Sequence, residues 1–253
     1  MRISFLVPVY DTDLAVLRLC INSVLKAAAD QHEVVIVDDG SHRAETCDFL
    51  DRCEACGVEN LKILRNSQNS GVSYSLNKAA AAATGELYAP VDHDDMVVTD
   101  GVHHMLKYMD YYRSNWAYSD EVQITYKGVP RGFMHKPDYR PQLLRSVMYI
   151  NHLQLFSREL FQNVGGYREG FEGSQDHDLA LRLSEQTTPA HVDVIAYLWR
   201  RGMISQSVHY GEIAESSIQA SCRALEEHFK RLTLTSQVKA VTLPAHAELS
   251  DQP

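Results

Sequence analysis

Two acidic segments of the sequence have side chains that can bind a cation or move a proton. The first is Asp92-His93-Asp94-Asp95 and the second is Gln175-Asp176-His177-Asp178. Alternate side chains of an extended segment point the same way, so we expect Asp92 and Asp94 to present carboxylate oxygens to one hard cation, with His93 turned away. Such oxygen ligands suit Mg²⁺ or Mn²⁺, whereas zinc prefers more nitrogen or sulfur. A solvated acidic turn that caps the next helix is the alternative.

Asp176 stands at the start of a predicted helix, directly after a glycine-rich segment. Acidic residues at this position can simply favour the helix N-terminus. If the helix begins at a cleft, the Asp176 carboxylate can instead act as a general base that removes a proton from an attacking hydroxyl, while Asp178 has a structural role. The sequence leaves both interpretations open.

A third polar segment, Asp38-Asp39-Gly40-Ser41, follows an apolar run of strand length. Its two carboxylates can accept hydrogen bonds from a base or a ribose, and the Gly-Ser turn is expected to leave room for that ligand. A turn that leads into a helix explains the same four residues equally well.

These segments follow apolar runs that alternate with amphipathic stretches of helical spacing, a pattern typical of a parallel sheet flanked by helices. The predicted strands cover residues 3–9, 33–37, 61–64 and 87–91, and Asp11 and Thr12 are possible caps of the first helix. Because ligands of such sheets bind beyond the carboxyl ends of the strands, we expect the turns after the first, second and fourth strands to meet at one crevice.

The second half of the chain is less regular. Its predicted helices cover residues 99–112, 140–147, 157–164 and 213–232, and its predicted extended segments cover residues 116–126, 150–156 and 191–199. Several polar and aromatic side chains here are candidates for sugar contacts or for core packing, namely Trp116, Tyr118, Asn151, His152 and Tyr167.

Composition narrows the class of protein. The 253 residues include 24 basic and 33 acidic side chains and carry a net charge of −9, so we expect no nucleic-acid partner and no broad capture of anionic lipid. The apolar runs are too short to span a bilayer, and no signal peptide is recognisable. Together with five cysteines, an odd number, these features predict a cytoplasmic protein with reduced thiols.

Motifs that are absent exclude other chemistries. The turn after the first strand, Val7-Pro8-Val9-Tyr10, contains neither the glycine fingerprint of a dinucleotide site nor a P-loop, and no G-x-S-x-G elbow occurs. Dinucleotide-dependent redox chemistry, P-loop chemistry and α/β-hydrolase chemistry are therefore disfavoured.

Taken in order, the motifs over about residues 3–230 resemble family 2 glycosyltransferases with the GT-A fold. The matching segments are Val7-Pro8-Val9-Tyr10, Val37-Asp38-Asp39-Gly40-Ser41, Asn69-Ser70-Gly71 with Asn77, Asp92-His93-Asp94-Asp95 and residues 171–179. Three further segments resemble the subgroup of bacterial surface-polysaccharide assembly: Tyr118-Ser119-Asp120-Glu121, Lys136-Pro137-Asp138 and Tyr197-Leu198-Trp199-Arg200.

The resemblance implies an α/β fold with a Rossmann-like mixed central sheet flanked by helices. Residues 1–95 would form the half that binds the nucleotide sugar, residues 96–232 the half of the same domain that binds the acceptor and supplies the base, and residues 233–253 a C-terminal tail. Asp176 would be the catalytic base, and Asp94 with Asp92 would bind Mn²⁺ or Mg²⁺. The residues expected to bind the nucleotide sugar are Pro8, Tyr10, Asp39, Asn69, Gly71, Asp92, Asp94, Arg200 and Ser205.

One metal ligand of the family is missing at its usual position. Relatives often have a histidine just before the Trp-Arg pair, where this chain has Leu198. Water or the more distant His209 is expected to take that coordination position.

The implied activity is inverting, metal-dependent transfer of a sugar from a UDP or dTDP donor to a hydroxyl of a glycan or lipid-linked saccharide. Peripheral association with membrane-bound assembly proteins would bring the enzyme to the inner membrane surface. Two alternatives are a non-catalytic nucleotide-sugar-binding module of an assembly complex and, less favoured, a sugar-1-phosphate nucleotidyltransferase.

Overall fold

The computed structural model describes residues 1–29, 31–201 and 227. Several sequence predictions fall outside these residues: the roles of Ser205 and His209, the tail at 233–253 and, except for the helical residue Glu227, the helix at 213–232. Within the described part of the chain, no helix is long and apolar enough to cross a membrane.

The described residues form nine strands and seven helices, joined by turns and loops. The strands are β1 (Ile3–Val9), β2 (Glu33–Asp38), β3 (Leu61–Arg65), β4 (Leu87–Pro90), β5 (Met96–Val97), β6 (Trp116–Ile124), β7 (Pro130–Met134), β8 (Gln154–Ser157) and β9 (Ala190–Arg200). The helices are α1 (Leu14–Ala28), α2 (Ala44–Ala55), α3 (Val72–Ala82), α4 (Thr99–Tyr112), α5 (Pro141–Ser146), α6 (Arg158–Asn163) and α7 (Gln175–Ser184).

All nine strands belong to one mixed sheet. Its order is β3-β2-β1-β4-β8-β6-β9-β5, and β7 pairs with β6 off this path. The first four strands in that order are parallel, β8 is antiparallel to both of its neighbours, and β9 is parallel to β6. The ladder that joins the parallel part to the rest is short, because β4 and β8 share only the pairs Leu87 with Ser157 and Tyr88 with Phe156.

Helices cover both faces of the sheet, which explains why β1 and β2 are continuous apolar runs and are buried throughout. Successive side chains of β1 enter different cores, as the period of two requires: Phe5 and Val7 pack with α1 and α4, whereas Leu6 packs with α3 and α7. The predicted α/β architecture with a mixed central sheet is confirmed.

Two strands and one helix cap differ from the sequence prediction. β5 has only two residues, and all five residues of β7 are exposed, so neither strand has an apolar pattern that a sequence can reveal. The cap of α1 is Asp13, which accepts a hydrogen bond from Ala15 N at 2.9 Å. Asp11 instead accepts hydrogen bonds from the backbone N–H groups of His42 and Arg43, and it links the turn after β1 to the turn after β2.

Glu33, at the start of β2, is a buried carboxylate that joins three parts of the sheet. It accepts hydrogen bonds from the Ser4 hydroxyl and from the backbone N–H groups of Thr84 and Gly85, and it forms an ion pair with Lys62. Burial acts to raise the pKa of Glu33, but these hydrogen bonds outweigh burial and lower the pKa to about 2, from 4.5.

The lowered pKa predicts an acid-dependent loss of stability. Because the folded-state pKa of Glu33 lies below its unfolded value, its stabilising contribution is complete above about pH 4.5 and is lost as the pH falls towards 2. We expect Glu33→Gln to lower the free energy of unfolding by roughly 2–3 kcal/mol at pH 7 and by much less near pH 2.5. Urea denaturation at several pH values measures this difference, and a constant difference across that range would contradict it.

A second stability prediction concerns Gly101, which lies where α4 crosses β9. A Cβ atom at this position would lie 2.1 Å from Ile195 O, so the helix cannot approach the strand this closely with any other residue. We expect Gly101→Ala to destabilise the fold by about 2 kcal/mol, although alanine favours helix formation. Gly132→Ala in β7 is the matched control, because a Cβ there meets nothing within 4 Å, and we expect a change below about 0.5 kcal/mol in urea denaturation. Equal effects of the two substitutions would disprove the packing argument.

Candidate active site

Asp92, Asp95 and His152 bring ligand atoms within 4.8 Å of one another at the carboxyl edge of β4. The two aspartates lie on the turn that follows β4, and His152 precedes β8, the neighbour of β4 in the sheet. The closest contact of the group joins His152 Nε2 to Asp92 Oδ2 at 3.1 Å. A carboxylate pair with one imidazole is a donor set that fits Mn²⁺ or Mg²⁺. Among the described residues it is one of two groups of side chains whose ligand atoms are close enough to hold a metal ion.

The turn itself explains why Asp95 rather than Asp94 joins this group. Asp95 N donates a hydrogen bond to Asp92 O at 3.1 Å, so the chain reverses instead of staying extended. In such a four-residue turn the first and last residues are close together. The Asp94 side chain is half-buried and lies outside the Asp92-Asp95-His152 group, and its role as a ligand stays a prediction. His93 is turned away as expected, with Nδ1 3.0 Å from Pro8 O.

Tyr197 packs against His152, and Glu121 lies near the second ring nitrogen of this histidine. The Tyr197 ring stacks on the imidazole, with centroids 4.6 Å apart and planes inclined by 12°, and the Tyr197 hydroxyl accepts a hydrogen bond from Asp92 N. On the other side, Glu121 Oε2 lies 4.0 Å from His152 Nδ1. At this distance the two atoms are not hydrogen-bonded, so the Glu121 carboxylate acts on the imidazole through its charge alone.

Negative charge is crowded at this edge. Burial raises the pKa of Asp95 well above its usual value, and so do the charges of Asp94 and Asp92, although His152 acts against them. Burial and Asp92 likewise raise the pKa of Asp94. Burial acts to lower the pKa of His152, but its hydrogen bond to Asp92 and the nearby carboxylates raise it to about 9. A divalent cation is the natural counter-charge for such a group.

Asp176 lies at the start of α7, where the charges of Asp92 and His152 act on its carboxyl group. Burial raises the pKa of its carboxyl group, and Asp92 raises it further, while the charge of His152 lowers it. These interactions show that Asp176 lies close enough to Asp92 and His152 to share their electrostatic field. Asp178 has the structural role that was expected, because it is buried and forms ion pairs with Arg168 and Arg182.

Asp39 is bound by the loop that leads into α3. Its carboxylate accepts hydrogen bonds from the side chain of Asn66 at 2.6 Å and from the backbone N–H groups of Ser70 and Gly71, both at 2.9 Å. The expected room for a ligand beside the Gly-Ser turn does not lie where a Gly40 side chain would point. A Cβ at Gly40 would lie 2.6 Å from the backbone carbon of Gln68, so the space beside this glycine is filled by the same loop.

The remaining residues expected to bind the nucleoside lie around this loop and the end of β1. Pro8 is buried in β1, Tyr10 is half-buried just beyond the strand, and Asn69 is exposed. Gly71 is the N-cap of α3, with a φ of +91°, and a Cβ there would lie 3.5 Å from a carboxylate oxygen of Glu172. The glycine-rich segment therefore borders the loop that binds Asp39, and the nucleoside-binding roles of these residues stay predictions.

Arg200 is buried and forms hydrogen bonds with the turn of residues 92–95. Its backbone N–H donates to Asp95 Oδ1 at 2.6 Å, and its Nε donates to Asp94 O at 2.7 Å. Its Nη1 donates to the carbonyls of Thr125 and Tyr126, so Nη2 is the guanidinium nitrogen without a hydrogen bond to the described residues. The predicted contact of Arg200 with a diphosphate would have to be made by Nη2.

Sequence reasoning missed Asp95 and His152 as possible metal ligands. The signal for Asp95 was present, because four polar residues between a strand and a helix often form a reversing turn. His152 is separated from Asp92 by 60 positions in sequence, and only the antiparallel insertion of β8 beside β4 brings the two together.

The same fold occurs in a solved structure. The crystal structure of S. aureus TarS 1-349 in complex with UDP-GlcNAc matches with a TM-score of 0.65 and 19% sequence identity, over 91% of this chain and 72% of that one. This likeness supports the predicted GT-A architecture and concerns the fold alone.

Two curated relatives are longer than this chain. It is 32% identical over 238 residues to the O-antigen biosynthesis protein RfbC of Myxococcus xanthus, which covers 93% of this chain and 18% of that protein. It is 27% identical over 235 residues to the chondroitin synthase of Escherichia coli, which covers 90% of this chain and 32% of that protein. The chain thus spans less than a third of either relative.

The family itself follows from a match across most of the sheet. Residues 4–165, which contain Asp39, the turn of residues 92–95 and His152, match the family described as Glycosyl transferase family 2. The order of motifs read from the sequence and the fold of the described residues agree with this match. The chain belongs to glycosyl transferase family 2.

Proposed function

We propose that this chain catalyses inverting, metal-dependent transfer of a sugar from a UDP or dTDP donor to a hydroxyl of a glycan or lipid-linked saccharide, during polysaccharide biosynthesis. The proposal rests on the family match of residues 4–165 and on the Asp92-Asp95-His152 group at the carboxyl edge of β4, with Asp176 within electrostatic range of that group. The UDP-GlcNAc complex of TarS supports a nucleotide-sugar donor. The names of the O-antigen and chondroitin relatives support a role in polysaccharide assembly, where a lipid-linked acceptor would require a membrane-bound partner.

Asp92, Asp95 and His152 would hold the cation, and Mn²⁺ fits their mixed oxygen and nitrogen donors better than Mg²⁺ does. Such a cation supplies charge stabilisation to a departing nucleoside diphosphate. The protein residues keep the donor set in place, because Tyr197 packs on His152 and Arg200 binds both Asp94 and Asp95. The diphosphate would therefore be held at the carboxyl edge of β4.

Asp176 would remove the proton from the acceptor hydroxyl as that oxygen attacks the anomeric carbon. Attack from the face opposite the leaving group inverts the configuration at that carbon. The raised pKa of Asp176 makes the carboxylate a stronger base than an exposed aspartate. A base placed in this way contributes a rate factor of roughly 10² to 10⁴.

Loss of the Asp176 carboxylate tests the base directly. We expect Asp176→Asn to lower turnover by roughly 10² to 10⁴-fold while UDP binding, measured by calorimetry with Mn²⁺ present, changes by less than about threefold. Turnover is measured as UDP released from UDP-sugars, with and without glycan acceptors. Asp110→Asn on α4 is the control, because that carboxylate is exposed, and this variant should retain wild-type turnover.

Two results would contradict this assignment. Near-normal turnover of the Asp176→Asn variant would show that Asp176 is not the general base. A wild-type chain that binds UDP but turns over no donor would favour the non-catalytic binding module.

A second experiment tests whether the cation is held by the Asp92-Asp95-His152 group or by the sequence-predicted pair of Asp92 and Asp94. We expect His152→Gln and Asp95→Asn each to weaken Mn²⁺ binding by at least about tenfold, whereas Asp94→Asn should weaken it less, because Asp94 lies outside the group. Free Mn²⁺ is measured by electron paramagnetic resonance, and thermal unfolding in a chelator checks that each variant is folded. If Asp94→Asn alone abolished binding, the sequence-based pair of Asp92 and Asp94 would be the correct one.

A further inference from the structure

A second group of ligand side chains lies on β6, β9 and the segment after β7, and it shares no residue with the proposed active site. Asp120, His135 and His191 bring their ligand atoms within 4.8 Å of one another. The Asp120 carboxylate lies between the two imidazoles: Oδ2 is 2.8 Å from His135 Nδ1, and Oδ1 is 2.8 Å from His191 Nε2. Asp120 and His191 are almost fully buried, whereas His135 is open to solvent.

We propose that this group is a second metal site, suited to Zn²⁺ and structural in role. Two imidazoles and a carboxylate are ligands that zinc accepts, and zinc favours four ligands in its structural sites. The exposed Asp193 carboxylate lies nearby but outside the group, with Oδ1 3.6 Å from His135 Nδ1, and a change of its rotamer would let it supply the fourth ligand. The group is richer in nitrogen than the Asp92-Asp95-His152 group, and therefore the two sites should prefer different ions.

The surroundings of His191 match those of a metal-binding histidine. Nε2 faces Asp120, and the other ring nitrogen, Nδ1, lies 3.6 Å from Asp138 Oδ1. This contact is longer than a hydrogen bond, but it places a negative charge beside the second ring nitrogen and leaves Nε2 directed at Asp120. The ring also stacks on Tyr118, with centroids 5.1 Å apart, so the imidazole is fixed on several sides.

An irregularity in the sheet places Asp193 at the site. Ser119 pairs with Val192 but Asp120 pairs with Ile195, so β9 contains two extra residues, Asp193 and Val194, at this point. Such bulges redirect side chains and are frequent beside functional sites. Here Asp193 is one of the two extra residues, whereas His191 lies just before the irregularity and pairs regularly with Tyr118.

The metal would fasten a weakly held part of the fold. β7 is exposed throughout and pairs only with β6 among the described strands, and His135 directly follows it. Coordination would join the end of β7 to β6 and β9. The alternative is that hydrogen bonds alone hold the two imidazoles against Asp120, and the experiment distinguishes these cases.

The test is a titration of the full chain with Zn²⁺ in the His152→Gln background, which weakens zinc binding by the first site. We expect one equivalent of Zn²⁺ to bind by calorimetry and to raise the midpoint of thermal unfolding. Adding His135→Ala should weaken this binding at least 100-fold and abolish the thermal shift, and adding Asp193→Asn should weaken it about tenfold. His104→Ala on α4 is the matched control and should change neither readout.

The exposure of His135 and Asp193 means that these variants should fold, and unfolding midpoints in a chelator verify this. Visible absorption of the chain titrated with Co²⁺ provides an independent signature of tetrahedral coordination. The proposal is overturned if the His152→Gln chain binds no Zn²⁺, or if the added His135→Ala leaves zinc affinity unchanged. In both cases the cluster would be held by hydrogen bonds only, and the proposed transfer activity would be unaffected.

Discussion

The contact between Asp92 and His152 joins the two halves of the sheet at the point where the chemistry is proposed. Asp92 follows β4, the last of the parallel strands, and His152 precedes β8, the antiparallel strand beside it. Together with the buried Arg200 and with His93, this histidine offsets the negative charge of the crowded carboxylates after β4. The requirement to supply a counter-charge there explains why Tyr197, Glu121 and the start of β8 converge on one imidazole.

A buried ion pair fixes the backbone that carries His152. Lys136 and Glu121 lie 3.0 Å apart with almost no solvent exposure, and the Lys136 ammonium also donates to the carbonyls of Asn151 and His152. Burial lowers the pKa of Lys136, while Glu121 opposes that shift. Breaking such a pair costs roughly 3–5 kcal/mol, since the remaining charge stays buried. The neighbours Asp120 and Glu121 thus connect one strand to both groups of ligand side chains.

The sequence predicted features that depend on neighbouring residues, and it missed contacts between residues that are distant along the chain. Strands such as β1 and β2 were predictable because both of their faces are buried and their residues are uniformly apolar. The start of α7 and the structural role of Asp178 were also visible in local patterns. The Asp92-Asp95 pair was missed because the period-two rule holds only while a chain stays extended, and this chain turns. His152 and the filled space beside Gly40 depend on tertiary contacts that no local pattern encodes.

The short ladder between β4 and β8 has a further consequence. A cation held by Asp92 and Asp95 on one side and by His152 on the other would bridge this two-pair seam, so occupancy and strand separation are thermodynamically linked. Local opening of the seam lowers affinity for the ion, and the ion in turn suppresses opening. Hydrogen exchange of the amides along β8 would then report the fraction of molecules that are loaded. Under the proposed transfer activity, release of the ion together with the nucleoside diphosphate would depend on how often these two strands separate.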